Sequence, residues 1–360
     1  MKFNSHIPYN DLPTLPPKID IETKAILKKA INANKALAGL KGVCRTIPNP
    51  LIVVNAIILQ EAKDSSEIEN IVTTNDQLYE AFTETIKKYD AHTKEVLRYR
   101  VALWEGFNRL KRNNLLTTNL YINVYNVIKA TSAGIRRTPG TKIATSTGKV
   151  LYTPPEGEDI IRDKLGNLEE FIHNNKDDID PLIKLALIHY QFEAIHPFTD
   201  GNGRTGRIIN ILYLILNGLL DLPVLYLSKY IIEKKDLYYQ LLRNVSTNNA
   251  WEPWIEYVLD GIEITAMYTE EKIFSIRKLL DDTIEKARVE LPKRVYSKEL
   301  IELLFVQPYC KVKQLVDAGI AKRQTAAEYL KELEKIEILK SRKAGTSKLY
   351  LNIKLYELLS

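Results

Sequence analysis

The chain has 360 residues, 45% of them hydrophobic and 27% charged, a balance that supports buried cores and excludes a disordered or fibrous polypeptide. Its net charge of +6 lies at the C-terminal end: residues 293–360 hold fourteen Lys and Arg against eight Asp and Glu, leaving 37 of each sign before them. That asymmetry points to a separate C-terminal module, with a polyanionic partner or merely a basic solvated surface.

The N-terminal residues lack the apolar stretch of a secretory leader. The most apolar runs, 51–59 and 208–220, contain asparagine and fall short of the roughly 20 residues of a membrane span. They are expected to be buried helices, with no membrane partner. Cys44 and Cys310 are far apart without CxxC spacing, so neither a zinc site nor a disulfide framework is expected. A reducing cytoplasm is the simplest location.

After a proline-rich lead, the chain order is dominated by helical periodicity. "IETKAILKKAINANKALAGLKG" repeats apolar residues at three- and four-residue steps, and "NPLIVVNAIILQEAKDSS" places Pro50 in a first turn. "TTNDQLYEAFTETIKKYD", "HTKEVLRYRVALWEGFNRLKR" and "TNLYINVYNVIKA" continue the pattern. "TKIA" and "KVLYT", flanking "TSTG", read as a hairpin over 141–153. "STGK" there lacks the glycine and Ser/Thr of a Walker motif and is a turn. Helices resume at "EDIIRDKLGNLEEFIHNN" and at Asp180-Pro181, and a long one starts at Trp251 and stops near Pro292.

The stretch "IHPFTDGNGRTGRIINILYLIL" concentrates the chemistry. With a helix starting near Asn202 or Gly203, its free N–H groups form an anion site. Gly201 and Gly203 are expected to let the backbone approach closely and take φ > 0. Arg204 and Arg207 share a helix face and suit a polyphosphate better than a single carboxylate. Asp200 could hold Mg²⁺ directly or through water. His196 is a natural general base for a hydroxyl attacking phosphorus. His189 is expected to be structural, and His6, His92 and His173 have no accompanying constellation.

This stretch resembles the Fic family signature at every defined position. The resemblance implies a mainly α fold: a Fic core with a β-hairpin flap, an N-terminal helical region and a C-terminal winged helix. It implies transfer of AMP from ATP, with Mg²⁺, to a hydroxyl of a target protein or of the chain itself. His196 would be the base, Phe198 the anchor of the loop and Asp200 the metal ligand. Gly201, Asn202, Gly203, Arg204 and Arg207 would bind the nucleotide, Arg207 at the γ-phosphate. Thr141, Lys142, Ile143 and Ala144 would belong to the flap that docks the target backbone.

Ser65 to Asn70, "SSEIEN", resembles the inhibitory motif of autoinhibited Fic proteins. Ser65, Glu69 and Asn70 match it, and Glu69 would take the place of the γ-phosphate as partner of Arg207. Residues 293–360 resemble a winged helix: Lys322, Arg323, Gln324 and Thr325 open its recognition helix, and Arg342, Lys343 and Lys348 sit on a wing turning at Ala344-Gly345. Such a unit serves DNA or protein binding. The expected organisation is therefore 1–95, 96–292 and 293–360. The primary expectation is an autoinhibited adenylyltransferase, with a homodimer left open. Its alternatives are a de-adenylylating or bifunctional enzyme and a DNA-binding regulator whose core only senses nucleotide.

Overall fold

The computed structural model describes residues 3–47, 49–83, 89–145, 147–344 and 347–360. Helices α1 (Lys24–Cys44) and α2 (Pro50–Ile68) open the fold. Thr23 caps the first, and Asn49 with Pro50 starts the second as the sequence predicts. Next come α3 (Asn75–Thr83), α4 (Ala91–Asn113) and α5 (Thr118–Lys129). The expected boundary at 95/96 falls inside α4, which is one continuous helix from its Asp90 cap to a left-handed Asn114. Within the first stretch, α1 packs along a later helix and α2 packs on α4.

The hairpin follows, with β1 (Ile143–Ala144) pairing antiparallel with β2 (Val150–Tyr152), Ile143 opposite Tyr152. The register shifts between Ile143 and Ala144, and Ser146 of its expected turn lies outside the described residues. Next are α6 (Glu158–His173), α7 (Pro181–Ile195) and α8 (Asn202–Leu216). The α7 helix is buried on nearly every side, from Leu182 to Ile195. A helix apolar all round belongs at the centre of a core, and α6, α8 and α1 pack around it.

The short α9 (Leu227–Glu233) and α10 (Lys235–Asn248) lead to α11 (Trp251–Glu290), which runs 40 residues and about 60 Å. One stripe of α11, from Trp254 through Ile262 and Ile273 to Leu280, is buried, much of it against α1.

The C-terminal unit contains α12 (Lys298–Leu303), β3 (Tyr309–Cys310), α13 (Val312–Asp317), α14 (Arg323–Lys335), β4 (Lys340–Ala344), β5 (Ser347–Leu351) and α15 (Ile353–Leu359). Its sheet is antiparallel in the order β3-β5-β4. Cys310 pairs with Tyr350 in a strand. The terminal α15 has no counterpart in the sequence expectation. The wing turn expected at Ala344-Gly345 includes Gly345, outside the described residues.

Candidate active site

The site forms where α7 gives way to α8, at residues that stop one helix and start the next. His196 ends α7 in the left-handed region, φ 49°, with its N–H on the Phe192 carbonyl. Gly201 takes φ 75° and opens α8. Gly203 departs from expectation: it lies within α8 and has no positive φ. Phe198, fully buried, stacks on Tyr125 with ring centroids 4.1 Å apart, an aromatic anchor for the loop. Asn202 braces the loop, accepting from the Phe198 N–H and donating to the Phe198 carbonyl, each at 2.8 Å. Its side chain is thus committed, and its backbone N–H is what it can offer a ligand. The first bond within α8 runs from Thr205 N–H to Gly201 O. The N–H groups of Asn202, Gly203 and Arg204 precede it and point out of the helix N-terminus, where an anion could be held.

Desolvation, and next the nearby Arg136 guanidinium, push the His196 pKa down to about 4. The ring is therefore neutral near pH 7, the form that can accept a proton. Arg136 carried no sequence signal, yet it organises this corner. Its guanidinium donates to the carbonyls of His196 at 2.8 Å, Ile195 at 3.4 Å and Pro155. Its own N–H donates to the Pro197 carbonyl at 2.9 Å. One buried arginine thus ties the histidine backbone to the segment that follows the hairpin.

Arg204 and Arg207 lie on one helix stretch but look to different partners. Arg204, 0% exposed, donates from Nη1 to Glu95 Oε1 at 2.5 Å. Arg207, 1% exposed, donates to Ser65 Oγ and Ser65 O, each at 2.7 Å, and to Glu69 Oε1 at 2.9 Å. Burial alone would lower the Arg207 pKa; Glu69, followed by Tyr238, Glu193 and Tyr99, together outweigh it and lift the group above the ordinary arginine value. The two residues that the sequence resemblance required to meet do meet. Gly203 supplies the room: a Cβ there would overlap Glu69 Oε1 and lie 3.0 Å from Arg207 Nη1.

The segment that delivers Glu69 is fixed along its length. Glu61 is buried in α2 and accepts from the Ser228 N–H at 2.9 Å, the Ser228 hydroxyl at 2.5 Å and the Tyr99 hydroxyl at 3.0 Å. Asn70 adopts φ 62°, and the Ile71 N–H reaches back to the Ser66 carbonyl at 3.0 Å. This left-handed stop accepts glycine or asparagine readily, a physical reason for the last position of the motif. Beneath the site, Glu193 has a buried Oε1 without a partner among the described residues, and a Cβ on Gly206 would come within 2.5 Å of it. Burial pushes its pKa up to about 8; Arg207 opposes that shift and Glu69 adds to it.

Asp200 is 63% exposed, and both its oxygens are engaged. Oδ1 accepts from the Gly201 N–H at 2.6 Å, and Oδ2 lies 2.6 Å from Lys129 Nζ. No group of three His, Cys, Asp or Glu that could hold a metal occurs among the described residues. An exposed carboxylate next to an anion site fits Mg²⁺ that takes its other ligands from phosphates and water.

The flap is fastened by the Tyr152 hydroxyl, which donates to the Ala194 carbonyl at 2.8 Å. The N-terminal lead covers its β2 side, with Tyr9 N–H on Thr153 O and Thr153 Oγ1 on Ser5 O. Ile143 and Ala144 form the opposite strand, with Thr141 and Lys142 leading into it. His189 is structural, as expected: its ring pairs with Asn210 and the Tyr238 hydroxyl, each at 2.9 Å, and burial lowers its pKa to about 3. In the C-terminal unit Lys322, Arg323 and Gln324 are exposed and Thr325 is half-buried. Two wing cations are already engaged. Arg342 pairs with Asp76 at 3.3 Å and Glu80 at 3.2 Å, and Lys348 with Glu334 at 2.9 Å.

Three family models match the chain: Fic/DOC family N-terminal over 27–108, Fic/DOC family over 115–214, and the C-terminal domain of SoFic-like protein adenylyltransferases over 279–355. A probable protein adenylyltransferase of Aquifex aeolicus is 38% identical over 80 residues, covering 22% of this chain and 24% of that protein. Protein adenylyltransferase fic-1 of Caenorhabditis elegans is 28% identical over 131 residues, 34% of this chain and 24% of that one. The match spans about a quarter of the length of these curated relatives. Among solved structures, a Fic family protein from Desulfovibrio desulfuricans G20 superposes with TM-score 0.57 at 18% identity, over 93% of this chain and 98% of that one. A Fic domain-containing signalling protein from Bacteroides thetaiotaomicron gives TM-score 0.52 at 17% identity, over 68% and 96%. At these identities the superpositions speak to the fold.

Proposed function

Since this chain belongs to the Fic/DOC family, we propose that it is a protein adenylyltransferase held inhibited by Glu69, using ATP and Mg²⁺ in the cytoplasm. The observation that carries this reading is Glu69 on Arg207 at 2.9 Å, beside the free N–H groups of α8. In the transfer, His196 takes the proton of the target hydroxyl as its oxygen attacks the α-phosphorus. The bond to the β-phosphate breaks and pyrophosphate leaves. The N–H groups of Asn202, Gly203 and Arg204 stabilise charge on the α-phosphate, and the guanidiniums of Arg204 and Arg207 face the phosphates beyond it. Mg²⁺ at Asp200 would neutralise phosphate charge. A target loop pairing with the Thr141–Ala144 edge would be aligned through its backbone, without much demand on its sequence. Arg207 has its donors on Ser65 and Glu69, so a γ-phosphate arriving there meets an occupied partner.

The test uses ATP radiolabelled at the α-phosphate. The native chain should label itself slowly, and Glu69→Gly should raise the initial rate. Glu69→Gly with Arg207→Ala should lose that gain. His196→Ala in the Glu69→Gly background should cut transfer by about two to four orders of magnitude while nucleotide still binds. Nucleotide binding with no covalent label in any variant would leave the regulator reading, in which the core only senses nucleotide. A second reading, AMP removal with Glu69 positioning a water, draws on the partial exposure of Glu69, 30% at the side chain. It predicts that Glu69→Gly raises only the final plateau of label and not the initial rate.

A further inference from the structure

The acid of the catalytic loop already has a cation. Lys129, the last residue of α5, runs across Gly201, where an added Cβ would lie 3.4 Å from Lys129 Cδ. Its ammonium ends between two carboxylates, 2.6 Å from Asp200 Oδ2 and 2.7 Å from Glu95 Oε1. The same Glu95 oxygen lies 2.5 Å from Arg204 Nη1. Lys129 and Arg204 therefore share two carboxylates at the mouth of the α8 anion site, with Arg98 3.9 Å from the other Glu95 oxygen. The pairing is felt on both sides. Burial would lower the Lys129 pKa, but Asp200 and Glu95 raise it; burial would raise Asp200 and Glu95, but their cationic neighbours lower them.

A divalent ion binding Asp200 at Oδ2 takes the oxygen that the ammonium holds. The displaced ammonium keeps only Glu95, which Arg204 and Arg98 share. It is a compact charge on a flexible stem, beside free helix N–H groups. We propose that Lys129 is a phosphate-binding residue held in reserve: it fills the cation position at Asp200 in the nucleotide-free protein and turns to the phosphates when nucleotide enters. The inference rests on the adenylyltransferase reading and adds a residue to it. Lysine and divalent ion are then alternative counterions for one stretch of negative charge.

The test is ADP binding to the full chain by calorimetry, in Mg²⁺ and in EDTA. ADP lacks the γ-phosphate, so the Glu69–Arg207 pair does not gate it. In the native protein Mg²⁺ should tighten ADP by less than about threefold, because Lys129 already supplies the charge. In Lys129→Met, which keeps the stem without the charge, affinity in EDTA should fall and Mg²⁺ should tighten ADP by at least about tenfold. Lys129→Arg should restore weak metal dependence. Equal Mg²⁺ effects in the native and Lys129→Met proteins overturn the proposal. If Lys129→Met does not fold, Asp200→Asn replaces it: freeing the ammonium should hold or raise ADP affinity in EDTA, and a tenfold fall overturns the proposal. If ADP binds the native chain under neither condition, the nucleotide-transfer reading itself falls. Binding with unaltered metal dependence removes only Lys129.

Discussion

Gly203 shows how one missing side chain serves two groups. Its backbone is ordinary helix, so the glycine is explained by Glu69 Oε1 and Arg207 Nη1 crowding its Cα. Gly203→Ala should cost about 1–3 kcal/mol of stability, as overpacking does. In a Glu69→Gly background the cost should shrink, because the crowding carboxylate is gone. A thermal double-mutant cycle reads this coupling, and additive effects would contradict the contact. Glu193 makes a pH prediction with a definite sign. Its folded pKa, about 8, lies above the ordinary 4.5, so the folded protein binds a proton that the unfolded chain releases between those values. Stability is therefore lost as pH rises through 8. Glu193→Gln removes that loss, so the Tm difference between variant and native should grow from pH 5 to pH 9; a constant difference would refute the buried acid. His189 and His196 act below their ordinary 6.5, where stability falls as pH drops, and do not mask the alkaline trend. His196, Asp200, Arg204 and Arg207 were legible because they are neighbours in the chain with distinct chemistry. Glu193 was within reach: it lies three residues before His196 on the same helix. Arg136, Glu95 and Lys129 come from other elements and only folding brings them in.

At the scale of elements, α2 is a delivery arm whose capping residue, Glu69, is the partner of Arg207. Asn70 sets the reversal after it at φ 62°. Asn70→Ala should cost about 1–2 kcal/mol through the left-handed backbone, and it should raise the initial labelling rate by loosening Glu69. Asn70→Gly should leave both close to native. A labelling rate in Asn70→Ala equal to that of Asn70→Gly would separate the turn from inhibition. The long amphipathic helices, the Pro50 and Asp180-Pro181 starts and the hairpin were readable because their signals are local. The strand at Tyr309–Cys310 and the helix Ile353–Leu359 were not. A two-residue strand has no period, and Cys310 is placed by Tyr350, forty residues on.

Across the whole molecule, the C-terminal unit is seated on the N-terminal helices. Tyr309 donates to Asp76 at 2.6 Å, Tyr356 meets the Tyr79 ring at 6.0 Å, and Lys272 of α11 donates to Leu358 O at 2.6 Å. Cutting the chain after Pro292 would uncover Tyr79, which is fully buried. The truncated protein should therefore melt several degrees lower, and an unchanged Tm would show that this seat contributes nothing. The same contacts sharpen the question of DNA. If the unit binds DNA, affinity should fall steeply with salt. Lys322→Ala and Arg323→Ala should weaken binding, while Arg342→Ala should not, because Arg342 is held by Asp76 and Glu80. Binding that is absent, or indifferent to salt, would favour a protein partner.

Gln60, midway along α2, donates to the carbonyl of Leu359, the last residue of α15, at 2.7 Å. Glu69 lies nine residues further, about 13 Å along the helix axis. Helix α15 and the guanidinium of Arg207 thus grip one rod at two points. Thermodynamic reciprocity then applies: if displacing α15 weakens the hold of α2 on Arg207 by some factor, filling Arg207 with a phosphate must loosen α15 by the same factor. Hydrogen exchange at the amides of residues 353–359, followed as nucleotide is added, would read a signal sent from the opposite end of that rod.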